Sequence, residues 1–475
     1  MIRFIIMHWK RQYSNKPVLT VLSFVLAMFL CMAVVHLGML VFSCNVTEID
    51  DIGLLTPGAY SYKMGTEGRW LNWLCFPILA LYSPHTAQAF NAICLYVFSF
   101  AVLRQYLGQY RSMLFALLPT LFPAFCSLNY WPVTMVPSFL LLLCAAALHK
   151  KIRDEYFFII FGILMNGVIS HFYFLLPLLY IRQDIRGCFR MVALWIIGFV
   201  VGYATANIAT LIYTGHTIQL DAWRNPHYIS SIQDFIQNVK HSLSSILSQV
   251  KYFGKPYAIA ALMGIANVVY RMYRGDWRLV PQLIIITLVS CSIFSSSLYA
   301  GIDVETRSVL CLFFGLMLFL VCSLNKRPVI LVCAIFLMSM QQYRMSAVHI
   351  QHWNTVRHVW QEGLAGIPSF PHEHFRVLML SSKDKMDSLV KEIGKTYNVV
   401  PTQTYSCSSL EQWQASAMAL GFLNVNIEGK KELEERNIES GNLIFRDSGC
   451  YSYAIHDNLL ILRVRHIPEV TYSGT

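Results

Sequence analysis

"VLTVLSFVLAMFLCMAVVHLGMLVFS", from Val18 to Ser43, carries no charge, and His36 is its one polar interruption of note. A helix needs about 20 apolar residues to cross the hydrocarbon core of a bilayer. This stretch is longer than that, and no small-residue cleavage site follows it. It therefore reads as an uncleaved anchor, not as a signal peptide. The composition extends the reading to the whole chain. Of 475 residues, 56% are hydrophobic and 13% charged, where soluble domains carry roughly 25% charged residues. A polytopic α-helical membrane protein is expected.

The basic residues give the orientation. Arg3, Lys10, Arg11 and Lys16 precede the first run. Arg104 and Arg111, Lys150, Lys151 and Arg153, Arg182, Arg186 and Arg190, Arg271, Arg274 and Arg278, and Lys326 and Arg327 lie between later runs. Only Asp154, Glu155, Asp184 and Asp276 oppose them there. Cytoplasmic loops carry such a Lys/Arg excess. The net charge of +11 is thus a topology signal, and no nucleic-acid partner is expected.

With the N-terminus inside, crossings are expected at Val18–Ser43, Thr86–Leu103, Ser112–Leu128, Val133–His149, Met191–Tyr213, Pro256–Tyr270, Leu279–Tyr299, Val309–Leu324 and Pro328–Tyr343. Tyr156–Ile181 reads as two short broken helices with Ser170-His171-Phe172 near the outer turn. Irregular backbone at that depth survives only where protein buries it or a wet cavity adjoins it. The sum is about eleven crossings, with the C-terminus outside. Residues 1–343 then form the transmembrane domain with an outside loop at 44–85, in which Trp70–Tyr82 is apolar enough to lie in the interface. Thr214–Lys255 is a second, amphipathic outside loop.

Residues 344–475 change to the composition of an extracytoplasmic α/β domain. Met345–Leu364 has helical spacing, Arg376–Leu380 reads as a strand, and Lys383–Thr396 reads as an amphipathic helix. Ser408 to Glu411 fits a capping box. Tyr451–Ile455 and Leu459–Val464 read as a hairpin. Most of the thirteen cysteines sit in apolar runs as small hydrophobes. Cys407 and Cys450 are the two of this domain; in an oxidising compartment they can form a disulfide, and they can equally stay apart. No motif commits the chain to a metal, and a divalent ion stays open.

Three outside features carry the chemistry: Asp50-Asp51, Gly68-Arg69-Trp70, and Asp303-Val304-Glu305-Thr306-Arg307. A carboxylate can take a proton from an attacking hydroxyl. Guanidinium groups bind phosphate bidentately and stabilise the charge that grows on it as it leaves. Phosphate leaves readily, so one base suffices, unlike the two carboxyl groups of a glycosidase.

A long first span, Asp50-Asp51 in the loop after it, Gly68-Arg69-Trp70-Leu71 further on, many spans and an outside C-terminal domain together resemble the GT-C superfamily of integral glycosyltransferases. Within it the chain most resembles the phage-encoded, serotype-converting O-antigen glucosyltransferases of enteric bacteria. The likeness in architecture covers the whole chain, and the motif itself covers Asp50 to Leu71. The resemblance implies a base at Asp50 or Asp51, with Ile52-Gly53-Leu54 where a basic or bulky polar residue often follows. It also implies undecaprenyl-phosphate glucose as donor, a lipid-linked polysaccharide as acceptor, inversion at the anomeric carbon and a bacterial inner membrane.

Plainer roles stand beside these. Asp50 and Asp51 suit solvated acids at a helix exit. Glu67 suits an ion pair with Arg69 or Lys63, and Glu48 and Glu67 are the next candidates for the base. Arg69 suits either a phosphate ligand or an interface anchor with Trp70 and Trp73. Arg307 suits phosphate, or a pair with Asp303 or Glu305. His171 and Tyr173 suit a cavity wall or a hydrogen-bonded core. A transporter or flippase for a lipid-linked sugar is the alternative function. Such proteins place polar residues near the bilayer midplane, whereas these spans are nearly free of charge.

Overall fold

The computed structural model describes residues 17–42, 57–79, 81, 83–180, 184–219, 226–367, 376–397, 413–414, 416–417, 420, 422, 424–439, 441 and 443–465. Asp50, Asp51, Glu48, Cys407 and the expected capping box at Ser408 lie outside them. Two compact units divide between Ser346 and Ala347, and residues 39–42 also belong to the second.

The first unit is helical. In chain order it holds most of α1 (Pro17–Phe42), α2 (Pro57–Glu67), α3 (Trp70–Leu79), α4 (Pro84–Leu103), α5 (Gln109–Phe115), α6 (Pro123–Leu128), α7 (Pro132–Leu148), α8 (Asp154–Asn166), α9 (Ile185–Thr214), α10 (Ile232–Val250), α11 (Gly254–Tyr273), α12 (Leu279–Ser292), α13 (Ser295–Ala300), α14 (Leu310–Leu324) and the first part of α15 (Pro328–Ala365). Among the described residues, α1, α4, α9 and α15 are long and apolar enough to cross a membrane. α3, α7, α12 and α14 are apolar but shorter.

Two expected runs break. Ser112–Leu128 is not one helix: α5 ends, a 3-10 turn follows at Leu118–Leu121, and α6 starts at Pro123. Pro119 and Pro123 each lack the amide that a continuous helix would need and sit instead at helix starts. The Tyr156–Ile181 region does break, between α8 and a 3-10 segment at Ser170–Leu179. The opposite happens near Arg344, where α15 runs on without interruption. No proline or glycine stands there to stop it.

Glycine sets the closest helix contact. A Cβ at Gly162 of α8 would strike the backbone of Gly198 in α9, and one at Gly202 would strike Gly162. Small residues spaced by four let two backbones approach in this way. Nearly every side chain of α14 is buried, as expected for a helix that is apolar all round. α1 and α9 instead leave apolar side chains such as Val21, Met32, Ile197 and Ile212 exposed. Faces this large and apolar call for an apolar surrounding.

The second unit is α/β. Its sheet has the order β2-β1-β5-β4-β3, from β1 (Arg376–Met379), β2 (Asn424–Asn426), β3 (Arg446–Ser448), β4 (Tyr451–His456) and β5 (Leu459–Val464). β1 runs parallel to β2 and β5, and β3, β4 and β5 are antiparallel neighbours. The β4–β5 hairpin turns at Asp457, whose φ of 52° is left-handed, a conformation that Asp tolerates better than most residues. Leu459 to Leu462 are buried in succession, so both faces of the sheet are covered. α16 (Lys383–Thr396) contributes Met386, Leu389 and Ile393 to the core. α17 (Gly429–Glu435) is tied to β1 by Glu432, which pairs with Arg376 at 2.9 Å. The second part of α15 packs through Gly363, where a Cβ would meet the Tyr451 ring, and it buries His349, His352 and Arg357.

Candidate functional site

Two turns in the first unit each hold an arginine beside a carboxylate. The first joins α2 to α3. Gly68 adopts a φ of 71° and its amide bonds to Met64 O at 3.0 Å, the left-handed stop that glycine supplies at a helix end. A Cβ there would also strike Ile218. The stop places Glu67 and Arg69 on either side of one sharp turn, where they form an ion pair. Lys63, one helical turn earlier, pairs with the same carboxylate at 3.0 Å. Glu67 is therefore the partner of both basic residues.

This turn is seated on the break after α8. The amides of Leu71 and Asn72 point to Gly167 O at 2.8 and 3.3 Å, and the Trp70 indole covers Gly167, leaving no room for a Cβ. His171 is the second residue of the 3-10 segment just beyond. Its ring stacks on Phe172 with centroids 4.8 Å apart.

The second turn is the 3-10 turn at Thr306–Ser308. Arg307 pairs with Glu305, and its guanidinium lies 4.2 Å from the centroid of the Trp131 ring, within cation–π range. Asp303 pairs elsewhere, with His241 at 2.9 Å. Thr306 donates to Gln249 Oε1 at 3.2 Å, and Gln249 donates to Val304 O at 3.3 Å.

The two turns are linked: Asn72, three residues after Arg69, donates to Thr134 O at 3.4 Å, in the first turn after Trp131, over whose ring Arg307 lies. Three buried ring nitrogens around them, Trp70 Nε1, Trp131 Nε1 and His171 Nε2, have no hydrogen-bond partner among the described residues. Buried polar groups are nearly always satisfied, so such a group calls for an explanation. Two guanidiniums, two indole N–H groups and an imidazole suit an oxygen-rich anion.

The structure thus links Glu67 and Arg69 to the turn of Arg307, seats them on the break that precedes His171, and packs Tyr173 elsewhere. Tyr173 is wholly buried. Its hydroxyl donates to Trp195 O at 2.8 Å and lies 3.2 Å from Phe158 O, a packing role between α8 and α9. Among the described residues no group of three or more His, Cys, Asp or Glu side chains could hold a metal ion.

Sequence reasoning missed the supports of Trp131. Gln88 and Asn91 of α4 donate to Asn129 O at 3.1 Å and Pro132 O at 2.8 Å. Asn72 of α3 donates to Thr134 O at 3.4 Å. These amides clamp the turn that carries Trp131. The signal was present: Gln88 and Asn91 stand three apart, on one face, in an otherwise apolar run.

No protein-family model, no curated protein and no solved structure matches the chain.

Proposed function

We propose that the protein is an integral membrane glycosyltransferase that moves glucose from undecaprenyl-phosphate glucose to a lipid-linked O-antigen polysaccharide, with inversion, at the periplasmic face of a bacterial inner membrane. In this reading the chain crosses the membrane about eleven times in a GT-C-like arrangement, with its C-terminal domain outside. One observation carries it: the Arg69 turn is hydrogen-bonded to the break at Gly167 and, through Asn72, to the Trp131 turn on which Arg307 lies, amid unpartnered buried ring nitrogens.

The chemistry follows from those groups. An acceptor hydroxyl attacks the anomeric carbon of the donor, the C–O bond to phosphate breaks, and the electron pair leaves with the phosphate. Arg69 and Arg307 stabilise that growing charge. Glu67 and Glu305 hold the two guanidiniums in place. The Trp70 and Trp131 N–H groups donate to donor oxygens. Asp50 or Asp51 takes the acceptor's proton.

The test is transfer of radiolabelled glucose from polyprenyl phosphate to polysaccharide by purified protein in detergent. Wild type should transfer it, and Asp50→Asn should lose about 10²–10⁴-fold in rate, with Asp51→Asn milder. A flippase would transfer none. If both variants keep near-full activity, the base lies elsewhere.

A further inference from the structure

α10 is built inside out. Its three buried side chains, Asn238, Ser242 and Gln249, are all polar. Asn238 donates to His227 O at 3.0 Å, Ser242 donates to Ser297 Oγ at 3.1 Å, and Gln249 holds the Val304–Thr306 backbone and side chain. Five of its apolar residues face outward: Ile232 is 81% exposed, Leu243 54% and Leu247 64%, with Phe235 and Ile236 beside them. At 3.6 residues per turn these five share one face. Gln233, Gln237, Lys240 and Ser244, also exposed, form a third, polar face next to it. A helix with a buried stripe, an outward apolar face and an adjoining polar face suits the plane of a bilayer surface.

The neighbouring elements indicate what covers the apolar face. α10 passes through a 3-10 turn at Lys251–Phe253 straight into α11, whose outward side chains Ile259, Leu262, Met263, Ile265 and Val269 continue the apolar surface. Tyr228 and Tyr299, both exposed, meet edge to face with centroids 5.7 Å apart, and tyrosine is favoured at membrane interfaces. Exposed Lys240, Lys251 and Lys255 offer positive charge to lipid phosphates.

We propose that α10 is a brace seated on the lipid bilayer: its apolar face rests on the acyl–headgroup boundary, and its polar stripe fixes the Val304–Arg307 turn at the height of that boundary. This rests on the membrane reading above and not on glucose transfer. Bilayer contact would set the position of Arg307.

The test uses the full chain in vesicles of phosphatidylethanolamine and phosphatidylglycerol, with benzoylphenylalanine replacing one residue at a time. At Leu243 or Leu247, light should give a phospholipid adduct, and at Gln237 little or none. A protein adduct at Leu243, from a second copy or another partner, overturns the proposal, as does equal lipid labelling at all three positions. The brace is read by hydrogen exchange at residues 303–308. L243E/L247E should speed that exchange about tenfold or more, a loss of protection typical of local opening. Gln249→Ala, which leaves the apolar face intact, should speed it likewise while keeping the lipid adduct. Unchanged exchange in both variants removes the brace. Lipid adducts do not depend on catalysis, so absent transfer with intact adducts would count against the function alone.

Discussion

α10 and α16 are both strongly amphipathic helices, yet they are laid in opposite senses. α16 buries Met386, Leu389 and Ile393 and turns Lys383, Asp384, Lys385 and Lys391 outward. α10 buries Asn238, Ser242 and Gln249 and turns Ile232, Phe235, Leu243 and Leu247 outward. Periodicity says that a helix has two faces. It does not say which face meets the protein, because that depends on the medium beyond. In water the apolar stripe goes inward. Where the medium is lipid, the polar stripe can go inward and the apolar one outward.

The largest expected difference lies in the apolar stripes. Leu389→Ala in α16 should cost about 2–5 kcal/mol, the usual loss for a truncated core leucine. Leu243→Ala or Leu247→Ala in α10 should stay within about 0.5 kcal/mol, as for exposed sites. Thermal unfolding of the full chain in detergent, resolved by hydrogen exchange in each helix, measures both. Equal costs in the two helices would break the comparison.

The polar stripes should show the reverse order, with a smaller effect. Asn238→Leu removes a buried donor from His227 O and should cost about 1–3 kcal/mol. Lys385→Ala, on the exposed side of α16, should be close to neutral. Exchange protection of each helix decides it. A neutral Asn238→Leu would mean that α10 is not held by its polar side.

The smallest effect concerns the start of α10. Hydrogen bonds from the Ser230 and Ser231 hydroxyls, then from the Ser230 amide, hold the Asp234 carboxyl well below the usual carboxylate range. A depressed pKa contributes stability above the unfolded value, about 3.9 for Asp, and loses it as pH falls through the folded value. Asp234 also pairs with His227 at 3.0 Å, so Asp234→Asn should loosen the first turn of α10 at pH 7 and at least as much at pH 5. The difference from wild type should vanish only in strong acid. First-turn protection factors at several pH values report this, and a difference that already fades between pH 7 and 5 would contradict it.

Legibility followed the range of the interactions. α16, β1 and the β4–β5 hairpin were readable because their signals are local: period, turn residues and strand composition. The break before His171 was readable from short apolar runs between basic clusters. The split of Ser112–Leu128 was missed although Pro119 and Pro123 stood in it, because hydropathy outweighed the backbone chemistry. The continuity of α15 was missed because a change in composition was taken for a change in element. Ser231-Ile232-Gln233-Asp234 has capping-box spacing and was also passed over. Arg69 and Arg307 could be proposed as neighbours from their residue types and expected side. The link between their turns and the clamp on Trp131 come from long-range packing, which no local pattern encodes. The expected base, Asp50 or Asp51, and the Cys407–Cys450 pair lie outside the described residues.

The most direct test of the account is the affinity of the purified protein for a short-chain polyprenyl-phosphate glucose, measured by titration calorimetry for wild type, Arg69→Ala and Arg307→Ala. Hydrogen bonds to charged groups are worth about 1.5–3 kcal/mol, and about 1.4 kcal/mol is tenfold in affinity. Each variant should therefore bind the donor at least tenfold more weakly, while Arg463→Ala, which removes a guanidinium lying over the Phe445 ring, should bind as wild type does. Unchanged affinity in both Arg69→Ala and Arg307→Ala would contradict the account.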